Sequence, residues 1–341
     1  MPVEEFRDRH LLRSQPVIFS DLFRGQPLAT LRTEADVRRA LGDAPIELKF
    51  NYAEAELLAM TGKKAPPLTL RQPTVSSYLD FVQREPNTFY MSIEMQPPAA
   101  LRALFNVPKY CIPGAGADET ISLFFLGNQG NYASPHFDSD QRHVLLYQVF
   151  GRKRVILAPP AASRKLAPIA HFATQRISNF QEADKSAFAS YLGGYEFMLN
   201  PGEAVYIPPL FWHYLEYTDT AMSFNIRFGR NRYNRALSGD FVHPNWRLQR
   251  LASEFIDTAR VEREPTLGRI FATLQEELAK RHASPSARHE AIDLLCQRFH
   301  AELFPDEAVA HSLDGLDEIR LQAGRGFYAS LAEHRASIRA R

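Results

Sequence analysis

Cysteine is nearly absent from this chain: Cys111 and Cys296 are the only two among 341 residues. Two thiols cannot build a disulfide framework or a thiolate metal site, and they point to free cysteines in a reducing cytoplasm. Charge bias is missing as well. Forty lysines and arginines face 39 acidic residues, a formal net charge of +1, so nothing draws the whole chain toward nucleic acid or an anionic membrane. No apolar run approaches the length of a membrane span. The opening residues Met1, Pro2, Val3, Glu4 and Glu5 lack the basic region and apolar core of an export signal. Internal repeats and low-complexity tracts are also missing.

What is there is a composition 45% hydrophobic, enough to bury one large core and a smaller appended unit. Two short stretches carry chemistry. Ser134-Pro135-His136-Phe137-Asp138 holds an HxD pair, and Ile207-Pro208-Pro209-Leu210-Phe211-Trp212-His213 ends in a third candidate ligand. In an extended segment residues i and i+2 share a side, so His136 and Asp138 can grip one ion while Phe137 turns away. Asn200-Pro201-Gly202-Glu203 is turn chemistry and Ala204-Val205-Tyr206-Ile207 a β-rich run, which carries His213 on a turn-then-strand unit. Two imidazoles and one carboxylate hold iron(II) on one face of its octahedron and leave the opposite positions open for a co-substrate and dioxygen. Taken singly, the pair reads more readily as a chance tripeptide and His213 as a core histidine bonded to backbone, and the surrounding residues reverse that balance.

Between the ligands, residues 143–160 read as two strands around a Phe150-Gly151 turn, closed by Pro159-Pro160. Alternation in the second strand puts Lys153 on the same side as Val155 and Leu157, making it the candidate inward cation. A lysine facing an apolar interior needs to neutralise or to meet an anion. The distal carboxylate of 2-oxoglutarate is a fitting anion, because its keto acid end can chelate the iron. The competing reading lets Lys153 reach solvent at a strand end. Later in the chain, Ser223, Asn225 and Arg227 alternate with Met222, Phe224, Ile226 and Phe228, a polar stripe that either needs partners or faces solvent, the second reading fitting Arg227 better than Asn225.

Together these residues resemble the JmjC-type, cupin-like family of iron(II)- and 2-oxoglutarate-dependent oxygenases, and within it the subgroup of the asparaginyl hydroxylase that inhibits the hypoxia-inducible factor. The resemblance covers 123–131, the HxD segment, 148–160 and 201–227. It implies that His136, Asp138 and His213 bind iron and that Lys153 binds 2-oxoglutarate. It further implies that Tyr90 helps hold the same carboxylate and that Asn225 lies beside metal and co-substrate. A threonine that subgroup members often place three residues before the first histidine is here Ala133, with Ser134 as the candidate substitute.

The expected fold is mainly β with appended α. A double-stranded β-helix, or jelly-roll, barrel with N-terminal buttressing elements spans 1–235, and a helical bundle spans 236–341. Early elements are a strand near 15–20, a helix at 34–41 and a helix over 74–85. The C-terminal apolar stripes, such as Leu267, Ile270 and Leu274 or Ile292, Cys296 and Phe299, are expected to pair two subunits into a homodimer, with cover for the chain's own barrel as the alternative. The stretch 160–196, with His171, Arg176, Asn179 and Tyr195, reads as an overhang of the mouth or a packed surface excursion. Arg227, Arg230, Arg232 and Arg235 read as a solvated loop or an anion site. The implied activity is hydroxylation of a C–H bond on a protein or peptide side chain. A tRNA base, a small metabolite, or a cupin that binds metal without turnover are the other readings.

Overall fold

The computed structural model describes residues 1–111, 120–166, 171–173, 175–237 and 246–309; the last part of the expected helical region, 310–341, lies outside them. The described strands are β1 (Val17–Phe19), β2 (Lys49–Phe50), β3 (Tyr90–Met95), β4 (Ile121–Gly127), β5 (Tyr132–His136), β6 (His143–Phe150), β7 (Lys153–Ala158), β8 (Tyr195–Leu199), β9 (Ala204–Ile207), β10 (Trp212–Tyr217) and β11 (Ala221–Phe228). They form a seven-stranded sheet in the order β1-β9-β6-β11-β4-β3-β2 and a four-stranded sheet in the order β5-β10-β7-β8, antiparallel throughout. This is the jelly-roll barrel with appended helices that the alternating patterns predict.

Period-two patterning decides which side chains fill the barrel. Val144, Leu146, Val155, Leu157, Leu199, Val205, Ile207 and Phe211 meet between the sheets. The alternate residues of the large sheet, among them Tyr147, Phe124 and Phe224, pack outward against the N-terminal elements around Phe6, Phe23, Val37 and Tyr78. Strand β6 is therefore buried on both faces at all eight positions, which explains its nearly unbroken apolar run. The two predicted N-terminal helices form as Glu34–Leu41 and Val75–Arg84, each opened by a reciprocal capping box, Thr33 with Asp36 and Thr74 with Ser77.

The chain departs from the expected hairpin at 148–160. Strands β6 and β7 lie in different sheets, so Phe150-Gly151-Arg152 is a corner rather than a hairpin turn. Gly151 takes φ +64, and a Cβ there would lie 2.2 Å from the Thr220 carbonyl oxygen. Local turn chemistry marks a reversal but does not say which sheet the next strand joins.

After β11 the chain is helical. The stripe from Trp246 toward Ala259 is broken: Trp246–Ala252 gives way to a short 3-10 turn, and Asp257 caps a new helix by accepting the Arg260 amide. Leu267, Ile270, Leu274, Ile292, Cys296 and Phe299 are buried in one cluster with Trp212 and Tyr214 from the outer face of β10. These stripes are covered within one chain, against its own barrel. Among the described residues no helix is long and apolar enough to cross a membrane.

Candidate metal centre

Antiparallel pairing puts His213 of β10 directly opposite His136, the last residue of β5. The imidazole centroids are 4.1 Å apart. Asp138 follows just past the strand end, and its Oδ1 is 4.0 Å from the Nε2 of each histidine. One ligand atom from each of the three side chains lies within 4.8 Å of the others. The predicted triad is thus brought together from a strand, the loop that follows it and a neighbouring strand.

The backbone fixes how the rings face. Nδ1 of His136 sits 2.7 Å from the Ser134 carbonyl, and Nδ1 of His213 sits 3.0 Å from the Phe211 carbonyl. A carbonyl can only accept, so each Nδ1 carries the proton and donates it. That leaves a lone pair on each Nε2, turned toward Asp138. Burial, and then the neighbouring His213, lower the His136 pKa to about 4, and burial also lowers that of His213. Burial alone would raise Asp138, but Arg227 and the two histidines hold it below its ordinary value. Two neutral imidazoles and one ionised carboxylate are the donors a divalent iron requires, so the residues fit that ion. Ser134 enters the site through its carbonyl oxygen.

Lys153 stands deeper in the barrel and points inward, as alternation predicts; it is 2% exposed. Its Nζ donates to Ser223 Oγ at 2.6 Å and lies 4.1 Å from the centre of the Tyr217 ring. Among the described residues it has no carboxylate partner, and burial lowers its pKa to about 7. Asn225, on the same inward stripe, is 5% exposed and its Oδ1 has no hydrogen-bond partner. A buried lysine and an unpaired amide oxygen on the same barrel interior mark a polar region in otherwise apolar surroundings.

Tyr90 is not part of it. Its hydroxyl donates to the Pro66 carbonyl at 2.6 Å, at the surface, and its ring packs on Phe50. The aromatic beside the lysine is Tyr217, which sequence reasoning missed because it lies four residues past a ligand on a strand that also buries other aromatics. Gly127 makes room for it: a Cβ at Gly127 would lie 2.7 Å from the Tyr217 ring. Gly127→Ala is expected to push that ring off Lys153 and to cost about 1–3 kcal/mol by overpacking, read by urea unfolding. It should also weaken 2-oxoglutarate binding, whereas Tyr90→Phe should leave that binding within about twofold.

The arginine run divides. Arg227 faces the centre, with Nη2 3.1 Å from Asp138 Oδ1 and 3.7 Å from Glu94, and Nη1 3.5 Å from Asp140. Arg232 is tied to Glu262 outside the site. Glu94 is half exposed and adopts φ +56 at a break in the β3–β4 register, a left-handed conformation that costs a non-glycine residue on the order of 1 kcal/mol. From the 160–196 stretch, Phe172 bridges to His136 and stacks on its imidazole with centroids 5.8 Å apart, while remaining 47% exposed. Arg227 was legible in the polar stripe; Glu94, Asp140 and Phe172 carry no pattern that singles them out.

With the geometry in place, comparison with known proteins agrees. Residues 2–232 match the family described as a cupin-like domain. The chain is 29% identical over 251 residues to Jumonji C domain-containing protein 5 of Drosophila melanogaster, covering 66% of this chain and 57% of that protein. It is 25% identical over 239 residues to Lysine-specific demethylase 8 of Xenopus tropicalis, covering 66% and 50%, and 24% identical over 247 residues to JmjC domain-containing protein D of Dictyostelium discoideum, covering 66% and 53%. The chain therefore spans about half the length of these curated relatives. Their names speak for the JmjC type and not for the asparaginyl hydroxylase subgroup in particular. The chain belongs to the cupin-like domain family, on its JmjC-type branch.

Proposed function

We propose that the protein is an iron(II)- and 2-oxoglutarate-dependent oxygenase acting on a side chain of a protein or peptide. The observation that carries this reading is the pairing of two features in one barrel: a three-ligand set of neutral imidazoles and a carboxylate, and a buried lysine with no carboxylate partner among the described residues. His136, Asp138 and His213 would hold the iron, and Lys153, steadied by Ser223 and the Tyr217 ring, would hold the far carboxylate of 2-oxoglutarate. Asn225 would lie alongside the co-substrate. When bound, iron and 2-oxoglutarate supply oxidative decarboxylation to succinate coupled to oxygen insertion at an unactivated C–H bond. The apolar barrel wall keeps water from that chemistry.

A protein substrate is supported by the relatives named as demethylases and by the carboxylates at the mouth. Glu94 and Asp140 flank Arg227 and favour a cationic side chain. Hydroxylation is the outcome proposed here. The same chemistry at an N-methyl group would release formaldehyde, so the products distinguish the two.

The test has two stages. Purified protein with iron(II) should convert 2-oxoglutarate to succinate, and mass spectrometry of host proteins and tRNA, with and without the gene, should find peptides that gain one oxygen. A gain on tRNA or a small metabolite would move the substrate, and absence of succinate would leave a cupin that binds metal without turnover.

A further inference from the structure

The turn that follows Asp138 is anchored from outside the barrel. Gln141 takes φ +54 and is completely buried, although it is neither glycine nor apolar. Its backbone amide donates to the Asp138 carbonyl at 3.1 Å and closes the turn. Its side-chain Oε1 accepts from Asn234 Nδ2 at 2.9 Å. Asn234 is itself 2% exposed and sits on the short helix Arg232–Leu237, beyond the end of the cupin-like match at residue 232.

The line of amides continues. The Asn234 backbone amide donates to Asn231 Oδ1 at 2.9 Å, and Asn231 Nδ2 donates to the carbonyls of Phe255 and Ile256 at 2.7 and 2.8 Å. The Gln141 and Asn234 side chains, the Asn234 backbone amide and the Asn231 side chain thus link the Asp138 turn to the segment where the C-terminal helices restart. A polar residue held at left-handed φ needs surroundings that over-determine it, because the conformation costs on the order of 1 kcal/mol or more. Here one hydrogen bond from a helix supplies that constraint on a buried amide that would otherwise lose both its partner and its place.

We propose that Asn234 and Gln141 are positioning residues for the metal centre: the C-terminal helical region, through this amide pair, sets where the Asp138 carboxylate stands. The inference rests on the metal-binding reading above. Arg227 contacts the carboxylate itself, whereas the amide pair holds the backbone that carries it. Groups that orient metal ligands commonly change affinity by about 10–100-fold when removed, and a pair that acts on the backbone belongs near the lower end.

The experiment uses the full chain loaded with cobalt(II) or manganese(II), read by calorimetry and, for cobalt, by its visible d–d spectrum. Asn234→Ala and Gln141→Leu should each weaken metal binding about tenfold and shift the cobalt spectrum. A control variant, Ser284→Ala, removes the cap of the helix Pro285–Leu303; it should lower thermal stability by a similar amount and leave both readouts unchanged. Should Asn234→Ala bind cobalt like the wild type with the same spectrum, the positioning role is overturned. If the wild type binds neither metal, the metal-centre reading fails instead. If the control loses affinity in step with stability, the amide pair is structural only.

Discussion

His213→Ala is expected to abolish turnover and to lower iron affinity by more than about a hundredfold, beyond the range for residues that only orient ligands. The imidazole is one of three donors and is held by a backbone carbonyl on the side away from the centre. Removing it leaves His136 and Asp138, a set that cannot hold a divalent ion on one octahedral face. Asp138→Ala should have a second effect that His213→Ala lacks. Arg227 is 11% exposed and pairs with Asp138 at 3.1 Å, so deleting the carboxylate weakens the neutralisation of a buried guanidinium and should destabilise the metal-free protein. Metal affinity by calorimetry and thermal melts of the metal-free proteins separate the two. Equal iron affinity in wild type and His213→Ala would refute the ligand assignment.

The second large effect concerns Lys153. Burial holds its folded-state pKa at about 7, below the ordinary 10.5. Between those values the unfolded chain keeps the proton and the folded one does not, so folded stability should rise as pH climbs from about 7 toward 10. Below pH 7 the penalty is present in full, on the order of 5 kcal/mol. Lys153→Met should remove that slope and raise the melting temperature of the free protein near neutral pH. It should also abolish saturation by 2-oxoglutarate, because no other cation stands at Ser223 and Tyr217 among the described residues. In the wild type, the co-substrate favours the ammonium form. Binding above pH 7 should therefore take up a proton, measurable by calorimetry in buffers of different ionisation enthalpy. Pathways without proton uptake, or a stability profile of Lys153→Met that parallels the wild type, would contradict a buried lysine reserved for an anion.

Much of this site was legible in the sequence. Period-two alternation placed Lys153 with Val155 and Leu157 on the inward side where it stands, and grouped Ser223, Asn225 and Arg227 on one side without saying that this side faces the centre. The HxD spacing, with the turn-then-strand unit carrying His213, located the triad. What stayed hidden depends on long-range packing. Tyr90 and Tyr217 are both strand aromatics, and only the close approach allowed by Gly127 brings the second to the lysine. The corner at Gly151 looks like a hairpin because turn residues do not encode sheet membership. Glu94 is an ordinary glutamate until its backbone dihedral is known, and the Gln141–Asn234 pair joins residues 93 positions apart.

Strand β1 lies at the edge of the large sheet and pairs residue for residue with β9, Val17 with Tyr206 and Phe19 with Ala204. During synthesis, then, the earliest strand must wait nearly two hundred residues for its neighbour, so the barrel cannot seal until late in translation. Removing the first twenty residues would leave β9 with bare amides and carbonyls beside an apolar seam, a surface that invites strand exchange between molecules and clumping of newly made chains.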